Sequence, residues 1–110
     1  MIEIRRNDRD SAAVIELQGR LDITSSPQLE AAANEILANG QHALVIDCTG
    51  LKYISSSGLR VLLIAARKFS SAGRRLVLCG VSGHIRKVFN ISGFSSIFTI
   101  KENQDEAVAG

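Results

Sequence analysis

Two short, unbroken apolar runs, Ala43-Leu44-Val45-Ile46 and Leu76-Val77-Leu78-Cys79, are each flanked by segments in which apolar residues recur every three or four positions. A four-residue run with no polar member suits a strand covered on both faces, as in a parallel sheet. Strands alternating with helical segments imply βαβ units with right-handed crossovers. The chain is therefore expected to be an α/β protein with helices packed on a largely parallel, mixed sheet of about four to five strands. Ile2–Arg6 alternates and Ala12–Leu17 carries Val14, Ile15 and Leu17, so these segments are expected to form an antiparallel hairpin at the start.

Three helices have recognisable starts. Ser26 is a candidate cap before Pro27, and Leu29, Ala32, Ala33, Ile36 and Leu37 form one apolar face up to Asn39-Gly40. Leu59, Leu62, Leu63, Ala66 and Phe69 mark a second helix that closes near Gly73, and Ser82 can cap a third with Ile85, Val88 and Phe89 inward. Ile97–Ile100 reads as a last strand, and Glu102 to Val108 as the start of a terminal helix. Asp47 to Ser55 reads as a loop. In such sheets function gathers beyond the carboxyl ends of the strands, which selects Asp22–Ser25, Asp47–Ser57 and Gly80–His84.

Composition narrows the function. The chain has 110 residues, enough for one domain over 1–110, and 45% of them are apolar. Lys and Arg number 13 against 11 acids, a formal charge of 13 − 11 = +2, which is weak drive toward nucleic acid. Arg67, Lys68, Arg74, Arg75, Arg86 and Lys87 read as solvated positions on helices and strand ends, so no direct nucleic-acid partner is expected. Aromatic residues are only 5%, too few for a base-stacking platform. Cys48 and Cys79 end apolar runs and read as buried small hydrophobes, and His42 and His84 have no local ligand partner, so no metal or other cofactor is expected. The longest apolar run, Val61 to Ala66, is far short of a membrane span. No apolar signal segment follows Met1, and a cytoplasmic protein is the expectation. Gly-x-Ser-x-Gly is absent, Ile54 standing at its first glycine, and phosphate-cradling glycine motifs are absent too. A binding protein is expected, not an enzyme.

The most informative stretch is Ile54-Ser55-Ser56-Ser57-Gly58-Leu59, a serine cluster at a helix start. Two readings are open. One serine can cap the unpaired N–H groups of the first turn. A serine there can also accept a phosphate without unfolding the helix, because those N–H groups favour an anion.

At this stretch the chain resembles the STAS family, specifically the anti-sigma factor antagonists. Their signature is a strand ending in Asp, then Asp-Ser-Ser/Thr-Gly-Leu opening a helix; here Ile46-Asp47 is followed by Ser55-Ser56-Ser57-Gly58-Leu59. Leu17-Gln18-Gly19-Arg20-Leu21-Asp22 is similar to the family's Leu-x-Gly-x-Leu-Asp, and Leu76 to Phe94 is similar to its late strand and helix. The resemblance implies the STAS fold. It implies that Ser56 is the phosphorylated residue, with Ser55 and Ser57 as alternatives, Ser55 replacing the motif's acid. It implies a partner-binding role for Asp22, and the expected contact face combines Asp22, Ile23 and Thr24, on an exposed loop, with Ser55, Ser56, Ser57, Gly58 and Arg60. The implied partners are an anti-sigma factor that is also a GHKL-type serine kinase, bound in the unphosphorylated state to free a sigma factor, and a PP2C-type phosphatase. A STAS subunit that is never phosphorylated, such as one beside an ABC-type lipid transporter, is the alternative.

Overall fold

The computed structural model describes residues 2–40, 42–94 and 96–109. Its strands are β1 (Ile2–Arg6), β2 (Ala12–Leu21), β3 (Ala43–Ile54), β4 (Leu76–Cys79) and β5 (Thr99–Lys101). Its helices are α1 (Ser26–Ala38), α2 (Ser56–Ser71), α3 (Gly83–Ser92) and α4 (Gln104–Ala109). The strands form one sheet in sequence order, with β1 antiparallel to β2 and every later pair parallel. This is the expected α/β architecture.

Sequential order has a consequence for the layers. Three right-handed crossovers stepping in one direction put α1, α2 and α3 on the same face. The main core accordingly joins Leu29 and Ile36 of α1, Leu62 and Phe69 of α2, and Ile85 and Phe89 of α3 to Ile15, Leu44, Ile46 and Leu78 of the sheet. Strand residues of the opposite parity point the other way. There Ala12, Val14, Val45, Val77 and Cys79 pack against Ala107 of α4. Cys48 belongs to the helix-side core and Cys79 to the α4 side, both fully buried and unbridged. Burial pushes the Cys79 thiol up to about 12 and the Cys48 thiol higher still, so both are protonated at neutral pH. Among the described residues no helix is long and apolar enough to cross a membrane.

The main departure from expectation is the length of β2 and β3. Asp47 to Ile54 is strand, not loop. Asp47-Cys48-Thr49-Gly50 has turn chemistry, but β2 runs on to Leu21 and pairs with it throughout. Register shifts between Glu16 and Gln18, and between Gly19 and Arg20, break the two-residue alternation that would have marked the segment as a strand. Gly50 suits one of these irregular positions, since a Cβ there would lie 2.9 Å from the Leu17 carbonyl oxygen. Arg20 lays its guanidinium over the Tyr53 ring at 4.1 Å. The long strand carries the start of α2 well beyond the end of β4, roughly 20 Å by strand rise.

Arg74 does not belong to a basic surface. Its guanidinium donates to the carbonyls of Ile36, Leu37 and His42 at 2.8–3.1 Å and stacks over Phe69. It therefore satisfies carbonyls that the end of α1 leaves open. Lys68 donates to Asn34.

Candidate functional site

The three serines do different work. Ser55 is the N-cap of α2, and its hydroxyl accepts from the Gly58 N–H at 3.2 Å. Its own N–H donates to the Leu21 carbonyl at 2.9 Å, which fastens the start of α2 to the end of β2. Ser57 is half-buried. Ser56 occupies the first helical position and is exposed. Neither the Ser56 nor the Ser57 hydroxyl has a side-chain hydrogen bond among the described residues. Gly58 is buried where no side chain fits, a Cβ there lying 2.9 Å from the Leu21 carbonyl oxygen, Leu21 Cγ and Ile54 Cγ1 alike.

Beside the serines lies the turn from β2 into α1, organised by Asp22. Its Oδ1 accepts from Thr24 Oγ1 at 2.8 Å, from the Thr24 N–H at 3.1 Å and from the Ser25 N–H at 3.2 Å. Ser25 precedes the helix but makes no side-chain cap bond. Ser26, expected as the cap, is already helical, and its hydroxyl donates to the Asp22 carbonyl. The capping work has moved upstream to Asp22, because a further turn precedes α1. Asp22 is accordingly half-buried, not fully exposed, and one of its oxygens is committed to the turn.

The hydroxyl of Thr24, then the bonds from Ser25 and the Thr24 backbone, lower the Asp22 carboxyl from 3.8 to about 2. A lowered folded value means stability that is complete above the unfolded value and lost as pH falls through the folded one. The stability advantage of wild type over Asp22→Asn, measured by urea unfolding, should be flat above about pH 5 and shrink toward about pH 2. An advantage unchanged across that window would show that these bonds do not favour the carboxylate.

Two surface grooves flank Ser56. One, about 400 Å³, brings Ile23, Ser57, Arg60 and Ser56 together with Pro27 and Glu30 of α1. Ile23 is 74% exposed on this surface. The other, about 230 Å³, lies between Ser56, Leu59, Arg60 and Leu63 on one side and Ser92 and Phe94 on the other. Ile23, Ser56, Ser57 and Arg60 thus share one surface. Asp22, Thr24, Ser55 and Gly58 line neither groove. The expected Gly80–His84 loop lines neither groove, because β4 stops at the level of Asp47 while β3 continues to Ile54. The second groove was not legible in the sequence, since nothing local links Phe94 to Leu59.

Asp47, the acid at the end of the apolar run, lies elsewhere. Its Oδ1 accepts from Thr49 and its Oδ2 from Gln104 Nε2 at 2.6 Å. The same Gln104 nitrogen donates to Glu16, the neighbour of Asp47 on β2, while Arg9 donates to Gln104 Oε1 and pairs with Asp105. Partial burial raises the Asp47 carboxyl, but the bonds from Thr49 and Gln104 prevail and leave it below its ordinary value. This network fastens α4 to the sheet. Gly80 passes close above it with φ +65°, and a side chain there would meet Thr49 and Asp47.

These geometries accompany a match over nearly the whole chain. Residues 1–107 fit the STAS domain model. The chain belongs to the STAS domain family. The STAS chain is 39% identical over 100 residues to BtrV of Bordetella bronchiseptica, which carries the name of an anti-sigma factor antagonist; the match covers 91% of this chain and 86% of BtrV. It is 30% identical over 105 residues to the anti-sigma-B factor antagonist of Listeria monocytogenes, covering 96% and 91% of the two chains. The crystal structure of an anti-sigma factor antagonist from Mycobacterium paratuberculosis superposes with a TM-score of 0.89 at 24% identity, over 100% of this chain and 96% of that one. That last likeness is one of fold.

Proposed function

We propose that this STAS domain is an anti-sigma factor antagonist that works as a phosphorylation-controlled binding module in the cytoplasm. Unphosphorylated, it docks through the Ile23 and Ser56 surface on an anti-sigma factor that is also a GHKL-type serine kinase, and so frees a sigma factor. The kinase phosphorylates Ser56, the complex parts, and a PP2C-type phosphatase restores the binding form. The domain is a substrate in this cycle and catalyses no step of it.

The observation that carries the reading is the exposure of Ser56 between the two grooves. Ser55 holds the cap and Ser57 is half-buried, so of the three hydroxyls that of Ser56 is the most open to a kinase. The names of the relatives support the choice of partner. Modification needs no rearrangement, because the first helical turn tolerates an anion.

The test is capture of the native partner, followed by ATP and mass spectrometry. Wild type should gain one phosphate on Ser56, while Ser56→Ala should bind the same partner and gain none. Phosphate on Ser55 or Ser57 would reassign the site. No phosphate at all on a domain tightly bound to a transporter ATPase would replace the switch by a constant accessory role.

A further inference from the structure

We propose that Arg60 holds the phosphate of modified Ser56 on the domain itself, so that phosphorylation removes a cation from the docking surface as well as adding an anion to it. This rests on the reading of Ser56 as the modified residue. Ser56 and Arg60 are four residues apart on α2, both exposed, and both line each of the two grooves. Side chains at that spacing are neighbours, with Cβ atoms about 5–6 Å apart. A phosphate on the serine is within reach of the guanidinium fork, which favours a two-point, charge-assisted bond to such an oxyanion.

The surroundings leave this pairing open. Arg60 makes no ion pair among the described residues. Glu30, across the first groove, is the carboxylate that competes for it, and the two do not form a salt bridge. The first turn of α2 contains no acidic residue, and its cap is the neutral hydroxyl of Ser55. A carboxylate in place of Ser55 would repel the new phosphate and draw on the same cation. With Ser55, the phosphate meets no like charge in its own turn.

The test uses the full chain with phosphoserine installed at position 56 during translation, titrated by phosphorus NMR. An unpaired phosphoserine has its second pKa near 6. In the wild-type background the value should be lower by at least about half a unit. Arg60→Gln should raise it by at least about half a unit, leaving only the part of the shift that the helix N-terminus supplies, and Arg60→Lys should keep more of the shift than Arg60→Gln. Arg60→Ala supplies the same comparison if the glutamine variant folds poorly. Equal values with and without Arg60 overturn the proposal. Because translation places the phosphate, that result is independent of any kinase. Failure of the kinase to modify Ser56 is a separate outcome, and it overturns the switch instead.

Discussion

Phosphorylated on Ser56, the domain will bind its anti-sigma partner at least about a hundredfold more weakly, and it will still fold. A factor of a hundred is about 2.7 kcal/mol. Arg60 offsets only part of the phosphate's charge of about −2, and burying the remaining anion without a partner cation costs several kcal/mol, so the effect reaches that size even when part of the charge stays hydrated. Folding survives because Ser56 is exposed on the first turn of α2 and its hydroxyl closes no hydrogen bond within the described residues. Ser56→Glu should weaken binding less, since one carboxylate has less charge and fewer acceptor oxygens than a phosphate. Titration calorimetry with the purified partner reads both affinities. Equal affinity for the phosphorylated and unmodified domains would place the docking surface away from Ser56.

Gly58→Ala should destabilise the domain by about 2 kcal/mol, opposite in sign to helix propensity. In an open helix the change would stabilise by about 1 kcal/mol. Here the added methyl would sit 2.9 Å from the Leu21 carbonyl oxygen, with Leu21 Cγ and Ile54 Cγ1 equally close. A flexible side chain could give way, but the Leu21 carbonyl is backbone, and it also accepts from the Ser55 N–H. Overpacking of this kind typically costs about 1–3 kcal/mol and shifts the helix start. Urea unfolding should show a lower midpoint with an unchanged slope. A midpoint equal to or above wild type would mean that α2 is not seated on Leu21. Because Gly58 sets the distance between the serine turn and the Asp22 turn, partner affinity should fall with stability.

The network around Gln104 gives the rest of the sheet a separate logic. Three right-handed crossovers leave one face uncovered, and α4 returns to shield Val14, Val45 and Val77. Six residues bury little by themselves. Gln104, set between Glu16 and Asp47, anchors the helix where apolar contact is thin. Asp47 thus fits its place in the motif by holding architecture, about 20 Å by strand rise from the serines.

Much of this was readable along the chain because it is local. Buried strands such as Ala43–Ile46, the apolar faces of α1 and α2, the Ser82 cap and the serine cluster before Leu59 each depend on a few consecutive residues. Their alternation was enough to imply a parallel sheet with helices on it. Tertiary structure alone decided the features that need a distant partner. The strand through Thr49-Gly50 exists because β2 lies alongside it, and the register shifts hide its period. Arg74 reads as one more surface cation until its guanidinium meets the carbonyls of Ile36, Leu37 and His42. Phe94 becomes a groove wall only once the fold sets it opposite Leu59. Sequence pattern reports which face of an element avoids water. It contains no record of which carbonyl or groove wall a polar side chain will find once remote segments are brought together.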